Sequence, residues 1–248
     1  MLFRDALCLA VDGANFERVV RIARDFRGCT TTVKVGPTLL LSLGTYAVRG
    51  LSELGMHDIV LDLRLFGHYN EVWTAVVEAA KTLRVRALVV QAFCGPEVLA
   101  AAVDAAQKTT ITSNRRVPPY VIAAGLPFTL TAQTLHALQI NAASRQDYVC
   151  HVANLCRDAG VDGMVVEYED IKPVREVCDL PLLCNVRRKV VGYEVALSRD
   201  ECREPGIREV LRAGADCAVL DMELVGYDAE WCADMAAKDL MRIRRRAK

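Results

Sequence analysis

Short apolar runs alternate along this chain with longer segments of helical period. Eight runs predict strands: Leu7–Asp12, Thr31–Gly36, Asp58–Leu63, Val85–Gln91, Tyr120–Ala124, Asp162–Glu167, Leu182–Val186 and Asp216–Asp221. Between them the spacing of apolar positions predicts helices over Asn15–Arg27, Asn70–Leu83, Pro96–Gln107, Arg145–Ala159 and Gly206–Ala213. Gly28, Gly55, Gly160 and Gly214 each precede a strand, where a left-handed residue ends a helix. Strands alternating with helices imply a parallel sheet. Eight such units in 248 residues imply an α/β chain folded as a single (β/α)8 barrel spanning 1–248. An open doubly wound sheet is the alternative, but the first turn, Val11-Asp12-Gly13-Ala14-Asn15, is too poor in glycine to cradle a pyrophosphate. Lys108–Pro119 reads as a surface connection.

Polar residues collect at one end of these apolar runs. The strands end in Asp12, Lys34, Asp62 with Arg64, Gln91, Glu167, Asn185 with Arg187, and Asp221. An unpaired charge in an apolar interior is costly, so something must hold Asp62 and Arg64 after Ile59-Val60-Leu61. In a parallel barrel the strand C-termini carry the active site. The functional reading is therefore a catalytic or ligand-binding ring, with Lys34 and Arg64 paired to Asp12 and Asp62. The structural alternative is a self-satisfied ion-pair network capping the barrel.

Composition narrows the partners. A formal net charge of zero argues against general binding to nucleic acid or anionic membranes. The basic end, residues 242–248, reads as a helix terminus whose positive charge suits the dipole; a docking tail is the alternative. Ten cysteines form no C-x-x-C pair and no cluster with zinc spacing, so neither a metal nor a cofactor is expected. Cys8, Cys184 and Cys217 lie inside apolar runs and read as small buried hydrophobes. No apolar run reaches the ~18 residues of a membrane span, and the expected compartment is reducing and cytoplasmic. An organelle reached after loss of a targeting segment is the alternative. His68 reads as a solvated loop residue or a general acid. Cys94 reads as a small turn residue or a reactive thiol. Glu167, Glu169 and Asp170 read as a polar loop or a cation site, and Trp73 and Trp231 as packing residues.

Order and spacing of several short segments resemble the orotidine 5′-phosphate decarboxylase family over nearly the whole chain. Leu9-Ala10-Val11-Asp12 is similar to the family's first strand, and Val33-Lys34-Val35-Gly36 to its second. Leu61-Asp62-Leu63-Arg64 stands where the family carries D-x-K-x-x-D. The segments from Ala159 to Val166 and from Ala213 to Leu220 resemble its sixth and last strands. The resemblance implies an Asp-Lys-Asp-Lys array around a pyrimidine carboxylate, a last lysine that protonates the carbanion as carbon dioxide leaves, and a homodimer. By position Asp12, Lys34 and Asp62 match that array, and Arg64 replaces the proton-donating lysine. Gly67 replaces the aspartate lent to the partner subunit, and Asp221-Met222 replaces the phosphate-gripping Gly-Arg pair. Arg187 and Arg188 follow the seventh strand and are the remaining candidates for a phosphate grip. Pro205-Gly206-Ile207-Arg208 matches a family motif about twenty residues out of place and reads as a helix start.

These departures bear on chemistry. A guanidinium titrates above ~12 and is a poor proton donor to carbon. Losing a phosphate grip removes the remote binding energy that drives such a reaction. The expectation is a decarboxylase-like barrel that is inactive or repurposed as a binding or assembly subunit, either a homodimer or part of a larger assembly. The alternative is a divergent lyase converting orotidine 5′-phosphate to UMP in pyrimidine biosynthesis, or one acting on a related anionic small molecule.

Overall fold

The fold was obtained as a computed structural model that describes residues 5–83, 85–112, 117–127, 129–140, 143–188, 204–225 and 228–244. Its eight strands are all parallel where their register is defined and follow one another in chain order around a closed barrel. They are β1 (Leu7–Ala10), β2 (Thr32–Val35), β3 (Asp58–Leu65), β4 (Ala87–Gln91), β5 (Tyr120–Ala124), β6 (Gly163–Val166), β7 (Leu182–Asn185) and β8 (Cys217–Asp221). All eight fall where the apolar runs predicted them. The chain divides into two compact units, one comprising residues up to Asp62 and from Cys184 onward, the other Leu63–Leu183.

In the first unit β1 lies between β2 and β8. Ala10 is level with Lys34 on one side and with Asp221 on the other, and Lys34 is level with Val60 of β3. Among the described residues five α-helices belong to this unit: α1 (Phe16–Phe26), α2 (Pro37–Leu43), α3 (Thr45–Glu53), and two near the C-terminus. Val19, Ile22, Ala23 and Phe26 of α1 are buried, an i, i+3, i+4, i+7 stripe that faces the core. Phe26 is fully buried, worth about 1.5–3 kcal/mol on transfer from water. Asn15 starts the helix by accepting the Arg18 amide at 3.0 Å. At the strand N-termini one Asp5 carboxylate oxygen accepts the Thr31 amide at 2.8 Å and the hydroxyls of Thr31 and Thr30 at 3.1 and 3.2 Å, tying the entry of β1 to that of β2.

In the second unit β4, β5 and β6 pair in register and carry α4 (Tyr69–Leu83), α5 (Pro96–Thr112), α6 (Ala132–Ala137), α7 (Arg145–Asp158) and α8 (Ile171–Val177). Helix α5 runs five residues beyond the predicted Gln107, so the start of the expected surface connection is helical; residues 113–116 lie outside the described part. The remaining helices of the first unit are α9 (Ile207–Ala213) and α10 (Ala229–Arg244). The basic end is helical through Arg244, and residues 245–248 lie outside the described part. Gly55, Gly160 and Gly214 have positive φ, as a helix stop requires. Gly28 does not: α1 closes on Arg27 in right-handed geometry, and the Cys29 amide returns to the Phe26 carbonyl at 2.8 Å. No helix of the described residues is long and apolar enough to cross a membrane.

Candidate active site

Lys34 and Asp62 come together as the strand register dictates. Lys34 is level with Val60, so Asp62 lies diagonally ahead of it on the neighbouring strand, within reach of a long side chain. The Lys34 Nζ donates to Asp62 Oδ2 at 2.6 Å, and their side chains are 15% and 4% exposed. Beneath the pair lies Cys8, whose thiol is pushed up to about 12 by burial; Lys34 opposes that rise and Asp62 adds to it.

Asp12 does something other than the expected pairing with lysine. Its Oδ1 accepts the Leu39 amide at 2.8 Å. Helix α2 begins after Gly36, which has no side chain to cap it, and Leu39 is in its first turn. Asp12 therefore supplies from the end of β1 the cap that α2 lacks locally. Gly36 is needed for this contact. A Cβ there would stand 2.3 Å from Asp12 Cγ and Oδ2.

Arg64, on the same strand as Asp62, is exposed and has φ of 45°, a left-handed conformation that costs a non-glycine residue roughly 1–2 kcal/mol. Asp62 and Arg64 thus differ sharply in setting, one buried and one at the surface. Gly67 leaves room for Glu71, whose Oε2 is 2.5 Å from where a Cβ would be and accepts the His68 amide at 2.9 Å. His68 is exposed with its ring 4.4 Å from that of Tyr69, which fits the solvated-loop reading.

Arg187 and Arg188 follow β7 and face carboxylates. Arg187 Nε is 3.0 Å from Glu204 Oε2. Arg188 Nε donates to the Glu204 carbonyl at 2.7 Å, and its Nη1 is 3.5 Å from Glu209 Oε2. Both backbone amides donate to the Pro205 carbonyl, at 3.0 and 3.1 Å. Pro205 and Gly206 therefore lie against the end of β7 despite their distance in sequence, and Gly206 precedes α9 as a helix start should. The sequence signal missed here was the pair of glutamates that flank that proline.

The other candidates resolve individually. Asp170 is held by Arg145 at 2.6 Å rather than presented to a cation; burial still raises its carboxyl above the usual range, with Arg145 opposing the rise. Among the described residues no group of three or more His, Cys, Asp or Glu could hold a metal ion. Cys94 sits in a short turn before Gly95, where burial pushes its thiol up, against a nucleophilic role. Trp73 donates from its indole to Asp104 at 3.2 Å between packed helices α4 and α5. The nine described cysteines lie outside any disulfide, and six of them are buried.

The profile of the orotidine 5′-phosphate decarboxylase / HUMPS family matches residues 5–219. The chain belongs to that family. An orotidine 5′-phosphate decarboxylase of Geobacter metallireducens is 30% identical over 217 residues, 88% of this chain and 87% of the relative. One from Geobacter sulfurreducens is 29% identical over 96% of this chain and 97% of its own length. In fold the chain is similar to the crystal structure of orotidine 5′-phosphate decarboxylase from Lactobacillus acidophilus, with a TM-score of 0.74 at 18% identity over 95% of this chain and 99% of that one. Of the residues singled out by the resemblance, Asp12, Lys34 and Asp62 lie in the first unit and Arg64 in the second, which takes up the chain at Leu63.

Proposed function

We propose that this chain is a decarboxylase-like barrel that has given up carbon protonation and works as a binding or assembly subunit. The observation that carries the reading is Arg64. It stands where a lysine would deliver the proton, is exposed, and belongs to a side-chain type that holds its proton too firmly to pass it to carbon. Lys34 donates to Asp62 at 2.6 Å, a contact that supports an orienting role for its side chain. Asp12, Lys34, Asp62 and Arg64 remain the residues assigned to the site, with Arg187 and Arg188 as its only proposed link to an anionic group. Six buried thiols suit a reducing, cytoplasmic setting. Phe66, 70% exposed beside exposed Arg64, has the composition of an interface anchor and supports a homodimer or a larger assembly.

The test is a direct assay with orotidine 5′-phosphate on the unmodified chain, Arg64→Lys and Asp62→Asn. The expected outcome is no turnover by the unmodified chain. Turnover that Asp62→Asn abolishes would overturn the reading. The second reading, a divergent decarboxylase acting in pyrimidine biosynthesis, is favoured by relatives of that name that match most of the chain at 29–30% identity. It requires that same turnover.

A further inference from the structure

We propose that the cavity between α6 and α7 is a ligand site for a small molecule with one carboxylate on an apolar body, and that Gln139 is kept in a left-handed conformation to serve it. The cavity measures about 800 Å3, lies within the second unit, and none of its lining residues belongs to the site assigned above. Small-molecule sites typically span ~300–1,000 Å3, with apolar walls and a few placed polar groups. This cavity has that make-up. Leu135, Ile140 and three alanines form the apolar wall, and His136, Gln139, Ser144 and Arg145 supply the polar groups. Its described lining residues thus include a guanidinium and an imidazole and no carboxylate.

The turn that ends α6 shapes one side. Thr131 starts the helix by accepting the Thr134 amide at 3.2 Å. At the other end the Gln139 amide returns to the His136 carbonyl at 2.9 Å, and the Ile140 amide to the Leu135 carbonyl at 3.0 Å. That pair of bonds is a helix stop whose left-handed position is usually glycine. Here it is Gln139, with φ of 56°. Glycine would hold the same turn without strain, so the stop itself gives no reason for a glutamine. What glutamine adds is a side-chain amide, both donor and acceptor, at the cavity wall. Backbone strain of this kind gathers at ligand sites.

Arg145 supplies the charge. It opens α7 after Ser144, which accepts the Asp147 amide at 3.0 Å. Its Nη1 donates to Asp170 Oδ1 at 2.6 Å, which fixes the guanidinium, and its Nε and Nη2 meet no acceptor among the described residues. That remaining edge is one a carboxylate takes side-on with two bonds. Two carboxylates of the chain stand close, and both are engaged: Asp170 by Arg145, and Asp147 by the Ser144 hydroxyl at 2.8 Å. A ligand carboxylate is the complement of the donors left, and its apolar body that of Leu135 and Ile140.

The probe is 1-naphthylacetate, with its uncharged amide, 1-naphthylacetamide, as the isosteric control. Each is titrated into the full chain, with affinity read by calorimetry and location by the backbone amide shifts of residues 132–140 and 143–145. The acid is expected to bind saturably with a Kd below about 1 mM, and the amide about tenfold more weakly. Ala137→Trp, at an exposed position of α6 that lines the cavity, is expected to abolish binding with the circular dichroism unchanged. Gln139→Gly is expected to raise the urea midpoint, because the strain is gone, and to weaken the acid about fivefold. No saturable binding, shifts confined to other residues, equal binding of acid and amide, or binding that survives a folded Ala137→Trp overturns the site. A Gln139→Gly variant that binds as tightly as the unmodified chain overturns the role of Gln139. None of these readouts depends on orotidine 5′-phosphate, so they stand apart from the test of the preceding reading.

Discussion

Replacing Lys34 by methionine removes the charge that faces the Asp62 carboxylate, itself only 4% exposed, and keeps nearly the same side-chain length. Breaking a buried ion pair from one side typically costs 3–5 kcal/mol, because the surviving charge keeps its desolvation penalty and loses its counter-charge. Lys34 is 15% exposed, so this pair is not fully dry and the lower end, about 3 kcal/mol, is the expected loss. Asp62→Leu leaves the wetter partner behind and should cost less. In Lys34→Met/Asp62→Leu the buried charges are gone, and packed apolar replacements of buried pairs are neutral or stabilising by ~1–4 kcal/mol. The double variant should therefore be more stable than Lys34→Met alone, so the single losses do not add and the coupling energy reaches several kcal/mol. Urea unfolding followed by circular dichroism measures all four corners, provided the m-values agree. A loss below ~1 kcal/mol for Lys34→Met, or additive single variants, would show that the pair is solvated like a surface bridge. Its place at the strand ends would then need another explanation.

Three further outcomes follow from local geometry. Gly36→Ala should cost ~1–3 kcal/mol by overpacking, because its Cβ would fall 2.3 Å from the Asp12 carboxylate; much of that cost should vanish in an Asp12→Ala background, and urea midpoints that stay additive would refute the contact. The Cys8 and Cys156 thiols, each pushed up to about 12 by burial, should resist a disulfide reagent at pH 8 until the chain unfolds, so fast native-state labelling of either by mass spectrometry would contradict the packing. Burial raises the folded-state titration of Asp170 in spite of Arg145, so the fold favours its protonated form. That contribution is fully present below the unfolded value near 3.9 and is lost as pH rises through the raised folded value. The stability of the unmodified chain relative to Asp170→Asn should therefore fall over that window in pH-dependent urea unfolding, and a difference that grows with pH would be wrong in sign.

The strands were legible because burial on both faces makes each a dense apolar run, and eight of them at regular spacing leave few topologies. Long helices were legible for a related reason: in α1 four buried positions repeat over 11 residues, enough to show a face. Helices α2, α6 and α8, of 7, 6 and 7 residues, span barely two turns, too short for period to separate them from loop. The start of α2 takes its cap from far away, from Asp12, and that of α6 from Thr131.

The candidate residues were legible as charges at strand ends and not as pairings. Charge at the end of an apolar run marks Asp12, Lys34 and Asp62 without saying which partner each takes, and a strand diagonal chose Lys34 for Asp62 while a helix start took Asp12. Arg64 was readable as a charge near a strand end, but its positive φ and exposure depend on how β3 ends, which no periodicity encodes. Arg187 and Arg188 looked like a phosphate grip because their neighbours in sequence are apolar or basic. Their counter-charges, Glu204 and Glu209, arrive from beyond residues 189–203. Arg18 had no signal at all, since an arginine in the first turn of a helix is ordinary until Glu223 is found 2.7 Å away. The same residues that advertise an anionic site in sequence face counter-charges in the fold, Lys34 the Asp62 carboxylate and Arg187 that of Glu204, and side-chain pairing of this kind has no period for a sequence to show.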